Sequence, residues 1–467
     1  MAGFGRKSGD EIEKKPPLVT SSAKDGSISL GSFKSPTSQE DLLKQFKLAA
    51  YESLMERIDL VAANQMAPER LLKEIESFIS EFTASNDLQI NLKEQKQLAA
   101  SLVDDMIGLG PLEVLVHDDT ITDILINGPY NIYVERKGKL QKASEVKFLD
   151  EAHLQQIARR IASRIGRRVD ESSPMVDARL ADGSRVNIIM PPLAIDGTAI
   201  SIRKFSRINI TLDRMVETSN ISQDMADLLK IISKCRLNVL ISGGTGSGKT
   251  TLLNAMSQII DPAERIVTIE DSAELRLQQP HVVRLESRPP NIEGEGEIKI
   301  RDLVRNALRM RPDRIIVGEV RGEETIDMLQ AMNTGHDGSM STIHANRPRE
   351  ALIRLENMMS MAGYELSLRV LRSLVAGAVQ LIIQTERMRD GIRRVTEITE
   401  LAGIEGDVIV THDLFKFEYK EDVVDVETKQ TFIRGEFKSC GVTPRFIDKA
   451  KFYGLDNEIK KLVSKNQ

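Results

Sequence analysis

Apolar positions along this chain change their spacing twice. From residue 40 to 110 they recur at helical intervals, in "EDLLKQFKLAAYESLMERIDLVA", "APERLLKEIESFISEFTAS" and "NLKEQKQLAASLVDDMIGLG". Pro68 stands near the first turn of the second run, where its missing N–H costs nothing, and the third run stops at glycine, as helices often do. Together they predict a small helical bundle over 40–110. From Ile121 the runs become short and β-rich: "ITDILING", "NIYVERKGKL" and "KASEVKFL", split by Asn-Gly and Lys-Gly turn signals. "EAHLQQIARRIASRIG" reads as a helix, "DARLADGSRVNIIM" as two strands about an Asp-Gly turn, and "TAISIRKF" as a further strand. This predicts an α+β domain over 111–205. After a linker over 206–220, helix and strand alternate: "DMADLLKIISKC", "RLNVLIS", "TTLLNAMSQII", "RIVTIED", "RDLVRNALRM", "DRIIVGEV". That rhythm predicts a mostly parallel sheet covered by helices over 221–403. Residues 404–467 read as a C-terminal helical or variable segment. Residues 1–38 are rich in Ser, Lys, Gly and Pro without a sustained period, and read as a disordered tail.

Composition narrows this picture. The 467 residues leave room for roughly three domains at about 150 residues each. Net charge is −5, which gives no overall attraction to phosphate backbones. Tryptophan is absent and aromatics make up 4%, which counts against an aromatic groove for single-stranded nucleic acid. The two cysteines, Cys235 and Cys440, stand far apart and outside any CxxC, so there is no zinc knuckle and no sign of a disulfide framework. This suits a reducing compartment. "MAGFGRKSGD" lacks the apolar stretch of a signal peptide. The most apolar segment, "SLVAGAVQLIIQ" (Ser373 to Gln384), is too short for a membrane span and is bounded by Arg372 and Glu386. The expectation is a cytoplasmic protein with no transmembrane segment, acting at any membrane through partners.

The chemistry concentrates in one motif. "GGTGSGKT" (Gly243, Gly244, Thr245, Gly246, Ser247, Gly248, Lys249, Thr250) fits GxxxxGK(S/T) and lies between a β-type run and a helical run that continues through Thr251. Its glycines let backbone N–H groups curl round a β-phosphate, Lys249 reaches the β and γ phosphates, and the Thr250 hydroxyl ligates Mg²⁺. A glycine-rich turn without function is the competing reading, but strand, loop and helix are all in order. Two strand ends then supply acids: Glu270, Asp271 and Glu274 in "TIEDSAEL", and Glu319 in "RIIVGEV". In open α/β sheets ligands bind at the carboxyl ends of strands, so both clusters are expected to face the loop. Glu319 could instead cap the next helix, and Asp271 and Glu274 could begin one at Ser272. His336 and His344 follow in "GHDGSMSTIHAN", where either a structural role or a phosphate-sensing role is open. Gly318 occupies the position where many P-loop ATPases carry aspartate.

The order of these pieces resembles the type II/type IV secretion and pilus ATPases: P-loop, acidic "TIED" box, "GEVR", histidine box. In that superfamily the second strand normally ends in Gly-Glu, so Gly318 resembles a variant Walker B motif. The longer stretches "GLGPLEVLVHDDTITDILINGPYNIYVERKGKL", "VDARLADGSRVNIIMPPL", "LQQPHVVRLESRPPNIEGEGEIKIRDLVRNALRMRPDRIIVGEVRG" and "LQAMNTGHDGSMSTIHANRPREALIRLENM" are similar to the CpaF family of Flp (Tad) pilus assembly ATPases. The four-cysteine zinc element of type II secretion ATPases is missing, which favours the CpaF branch.

That resemblance implies an α/β chain: a RecA-like P-loop ATPase domain preceded by an α+β (PAS-like) N-terminal domain and a small helical bundle. It implies ATP and Mg²⁺ as cofactors, with Thr250 and, through water, Glu319 on the metal. Glu319 resembles the catalytic Walker B acid and Glu270 a supporting acid or alternative base. His344 resembles the γ-phosphate sensor, with His336 beside it. Arg179, Arg185 and Arg203 resemble N-domain arginines that close on the nucleotide, although hairpin arginines are routinely just solvated. A planar guanidinium arriving on closure would offset charge on the γ oxygens. Arg301, Arg305 and Arg309 form a helical stripe, either intersubunit or solvated. The implied assembly is a homohexamer docked on inner-membrane pilus platform proteins, without direct nucleic-acid contact. Two rivals stand beside it: a nucleic-acid translocase with the same core, and a non-hydrolysing scaffold held together by ATP. A GTPase is disfavoured, because no Asn-Lys-x-Asp motif occurs.

Overall fold

The structure, a computed structural model, describes part of 46–57 and residues 66–464 except 87–89, 137, 181, 205–209, 291–294, 364–365 and 425–430. The tail expected over 1–38 and much of the first helical run lie outside the described residues. The chain divides into two compact units, Met1–Lys204 and Phe205–Gln467.

In the first unit, helices α1 (Pro68–Ser85) and α2 (Leu92–Ile107) pack through Leu71, Ile75, Phe78 and Ile79 against Leu98, Leu102 and Met106. Asn91 opens α2 with a capping box, its side chain accepting from the N–H of Glu94 while Glu94 accepts from the N–H of Asn91. A short helix α3 (Glu113–His117) leads into strands β1 (Ile121–Asn127), β2 (Ile132–Arg136) and β3 (Lys139–Lys142). Helix α4 (Glu151–Arg164) and strands β4 (Met175–Arg179), β5 (Arg185–Ile189) and β6 (Ala199–Arg203) complete it. The sheet runs β3-β2-β1-β6-β5-β4, antiparallel at every step. Leu154, Ile157, Ala158 and Ile161 of α4 share its core with Ile124, Ile126, Val186, Ile188, Ile200 and Ile202. The "KASEVKFL" run is not a strand beyond Lys142. Ala143, Val146 and Phe148 bury themselves from a loop, at a spacing that does not alternate.

The second unit begins with α5 (Leu212–Glu217) and α6 (Gln223–Lys234), followed by β7 (Val239–Gly243), α7 (Lys249–Ser257), β8 (Ile266–Glu270) and β9 (Val282–Glu286). Next come α8 (Ile300–Ala307), β10 (Arg314–Val317), α9 (Glu324–Asn333), β11 (Met340–Ile343), α10 (Pro348–Met361) and α11 (Leu368–Ala378). The chain ends in β12 (Leu381–Arg387), β13 (Arg393–Glu405), β14 (Val408–Val424), β15 (Thr431–Ser439), α12 (Ile447–Phe452) and α13 (Asp456–Ser464). Strands β12-β7-β11-β10-β8-β9 are parallel neighbours, and β13, β14 and β15 extend the same sheet antiparallel. Every residue of β7, β8, β10 and β11 is buried, as expected when helices cover both faces. One face packs α6 and α7, the other α8 to α11.

Two expected boundaries change. The 206–220 linker contains helix α5, which buries Leu212 and Met215 in the core. The 404–467 segment is not mainly helical: β13 runs past residue 403, and two long strands precede the final helices. The outer half of β14 is exposed on both faces, so it lacks the alternation that marks a half-buried strand. It is held by pairing with β15 and by cross-strand charges such as Lys438–Glu418 at 2.6 Å and Arg434–Glu421 at 3.3 Å.

Candidate nucleotide site

Strand β7 ends at Gly243, and the chain turns through the phosphate loop into α7. Gly246 and Gly248 lie at φ +70° and +100°, the left-handed region that only glycine adopts without strain. Gly248 is the N-cap of α7, so the positive end of that helix opens onto the loop. The buried ammonium of Lys249 donates to the carbonyls of Gly243 and Gly244, both at 3.0 Å.

Because β8, β10 and β11 run parallel to β7, their carboxyl ends reach the same edge of the sheet. Each carries one of the expected residues. His344 follows β11, and its Nε2 lies 3.0 Å from Glu319 Oε1 and 3.5 Å from Lys249 Nζ. Burial, and after it the Lys249 charge, holds the His344 pKa below its ordinary range, so the ring is neutral at pH 7. With its proton on Nε2 the neutral ring donates to the Glu319 carboxylate and cannot at the same time accept from the Lys249 ammonium, which is a donor only. Arg321 then bridges Glu319 at 2.9 Å and Asp271 at 3.5 Å.

Glu270 ends β8. One of its oxygens accepts the N–H groups of Glu274 at 2.7 Å and Leu275 at 2.9 Å, while Oε1 is buried with no hydrogen-bond partner among the described residues. Burial pushes its carboxyl up to about 7. Asp271 and Glu274 do not start a helix, since residues 271–280 form no regular element. Gly318 has a steric reason: a Cβ there would sit 2.8 Å from Glu270 Cγ. The Glu270 side chain occupies the space an aspartate at 318 would need. Gly318→Ala should therefore cost about 1–3 kcal/mol and lower the thermal unfolding midpoint. An unchanged midpoint would show that Glu270 moves aside freely.

His336 does not belong to this cluster. It precedes β11 whereas His344 follows it, so the four-residue strand separates them at opposite edges of the sheet. His336 Nδ1 lies 3.2 Å from the Ala331 carbonyl. Asp313, at the far end of β10, accepts the Arg265 N–H at 2.7 Å and is likewise away from the loop. Arg301 and Arg305 pair inside the unit: Arg301 with Asp327 at 2.8 Å and Glu323 at 2.7 Å, Arg305 with Asp327 at 2.9 Å.

The arginines of the first unit form a pattern that spacing along the chain hides. Arg179 pairs in register with Arg185, and Arg185 with Arg203, across β4, β5 and β6. Residues paired in register project from one face, so three guanidinium groups stand in a row. Acids lie beside the row: Arg185 pairs with Asp177 at 2.5 Å and Arg203 with Asp123 at 3.4 Å. Such a row suits an anion.

Two residues at the loop escaped the sequence reading. Thr385 of β12 lies 2.9 Å from Ser247, hydroxyl to hydroxyl, and Arg393 of β13 donates to the Gly246 carbonyl at 2.9 Å. No local motif marks either one; the pairing of β12 with β7 delivers Thr385, and the pairing of β13 with β12 delivers Arg393.

A phosphate loop at the end of a buried parallel strand, with acids and a histidine on the neighbouring strand ends, defines a RecA-like nucleotide-binding core. Residues 105–399 match the type II/IV secretion system protein family, and the chain belongs to that family of secretion ATPases. A Mycobacterium tuberculosis protein provisionally named for conjugal transfer is 42% identical over 310 residues, covering 65% of this chain and 87% of that one. The conjugal transfer protein TrbB of Rhizobium radiobacter is 33% identical over 294 residues, covering 62% and 86%. Among solved structures, the VirB11 ATPase of the Brucella suis type IV secretion system, in complex with sulphate, is 26% identical with a TM-score of 0.34, covering 62% of this chain and 95% of that one.

Proposed function

We propose that this chain is a Mg²⁺-dependent ATPase of the CpaF type, powering pilin movement in Flp (Tad) pilus assembly. The observation that carries the reading is the convergence of Lys249, His344 and Glu319 within hydrogen-bonding reach beside the loop. Lys249 and the loop amides would take the β and γ phosphates. Thr250 and Glu319 would hold Mg²⁺ together with phosphate oxygens and water. This donor set fits the ion, which keeps several waters and needs few protein ligands. Glu319 would orient or deprotonate the attacking water, and His344, bonded to Glu319 and lying beside Lys249, would register the γ-phosphate. Glu270 is a supporting acid. The Arg179–Arg185–Arg203 row would close on the nucleotide and link its hydrolysis to movement of the first unit. Ring assembly into a hexamer, docked on inner-membrane platform proteins from the cytoplasmic side, belongs to this reading. No helix among the described residues is long and apolar enough to cross a membrane.

The names of the relatives support a second reading, the same chemistry serving a conjugal-transfer apparatus. Its nucleic-acid variant is separated by one experiment. The ATPase rate per subunit is measured as protein concentration rises, with and without single-stranded DNA. A steep rise that Arg185→Ala removes, indifferent to DNA, is expected for a site completed between subunits. A rate unaffected by Arg185→Ala contradicts the role given to the row, and strong DNA stimulation selects the translocase.

A further inference from the structure

We propose that Arg393 is a positioning residue of the nucleotide site, holding the phosphate loop in its anion-binding shape; this rests on the nucleotide reading above. Its side chain reaches the loop from 147 residues further along the chain. Its Nε donates to the Gly246 carbonyl at 2.9 Å, and its Cδ lies 3.3 Å from where a Cβ on Gly248 would stand. One side chain thus bonds the first left-handed glycine of the loop and fills the space beside the second.

The physical reason lies in the freedom of glycine. Peptides flanked by glycine flip easily, and a flip at Gly246 would move a carbonyl dipole that phosphate repels. A guanidinium bound to that oxygen holds the peptide in one orientation with a charge-assisted hydrogen bond.

The hairpin that presents Arg393 is itself stiff. Arg394 and Asp390 form a buried ion pair with contacts at 3.0 and 2.8 Å. Asp390 also accepts the N–H groups of Ile392 at 3.0 Å and of Ile433, on β15, at 3.1 Å. The Asn220 side chain donates to the Arg393 carbonyl. Thr385, on the other strand of the hairpin, meets Ser247. The loop is therefore held at two points by one braced element. Arg393 is exposed, so truncating it opens no cavity in the core.

The test uses the full chain and its Arg393→Ala and Arg393→Lys variants. Three quantities are read: Mg-ADP affinity by calorimetry, amide exchange over residues 244–252 without nucleotide, and the thermal midpoint without nucleotide. Arg393→Ala should weaken Mg-ADP by about tenfold, the loss expected for one hydrogen bond to a charged group. It should also speed exchange in the loop and leave the midpoint within about a degree. Arg393→Lys, which can still donate to the carbonyl, should recover most of the affinity. Wild-type affinity in Arg393→Ala would overturn this assignment alone. So would a loss of affinity matched by a fall in the nucleotide-free midpoint, which would make Arg393 a structural prop. Failure of the wild-type chain to bind Mg-ADP would overturn the nucleotide reading itself, and this inference with it.

Discussion

Lys249→Ala is expected to lose nucleotide binding by about a hundredfold or more while remaining folded. The ammonium is buried and held 3.0 Å from the carbonyls of Gly243 and Gly244, poised at the mouth of the loop. A hydrogen bond between charged groups contributes about 1.5–3 kcal/mol, so losing this contact weakens binding about 10- to 100-fold before the loss of charge neutralisation is added. Turnover should fall further, because removing one donor aimed at developing charge typically costs about 10²–10³ in rate. The fold should survive. Helix α7 still packs Leu252, Leu253 and Met256 into the core. Calorimetry with Mg-ADP alongside thermal unfolding checks both halves of the expectation. Full affinity in the variant would remove the loop from the phosphate site.

Glu319→Gln should bind Mg-ATP within about threefold of wild type and hydrolyse it at least about a hundredfold more slowly, the span of general-base contributions. The amide keeps the size of the side chain and can still accept from His344, so the local geometry is preserved. What it loses is the capacity to take a proton or attract the attacking water. The competing base is Glu270, whose carboxyl sits near pH 7 because burial disfavours its charge. That shift has a definite sign. A raised acid pKa stabilises the fold fully below the unfolded value near 4.5, and the contribution is lost as pH climbs through about 7. Glu270→Gln should therefore gain thermal stability relative to wild type as pH rises from about 5 to about 8. If Glu270 were the base, wild-type turnover would rise through pH 7 and Glu319→Gln would remain fast. Rapid hydrolysis by Glu319→Gln would transfer the role.

How much of this site is legible in the sequence depends on how far apart its parts lie. The phosphate loop is contiguous, and its strand, turn and helix carry different spacings, so local pattern suffices. Glu270, Glu319 and His344 are readable through one topological rule: parallel strands end on the same edge. The same rule excludes His336, because β11 lies between it and His344, yet nearness in sequence suggested a pair. The arginine row needs strand register, which spacing along the chain does not supply. Gly318 read as a substitution for aspartate, and only the Glu270 side chain lying against it shows why the position is small. Thr385 and Arg393 were invisible because no local motif marks them, and only the pairing of β12 with β7 and with β13 brings them to the loop. The C-terminal hairpin was missed because the outer half of β14 is exposed on both faces and is recorded in cross-strand charges, not in an apolar alternation.

ATP hydrolysis at this loop is read by the release of inorganic phosphate. Purified chain is supplied with ATP in Mg²⁺ or in excess chelator, with Lys249→Ala measured in parallel. Steady release that requires Mg²⁺ and falls to background in Lys249→Ala is the expected result. Tight Mg-ATP binding with no release would contradict it, making the chain a scaffold held by nucleotide. Release that persists unchanged in Lys249→Ala would place the chemistry elsewhere.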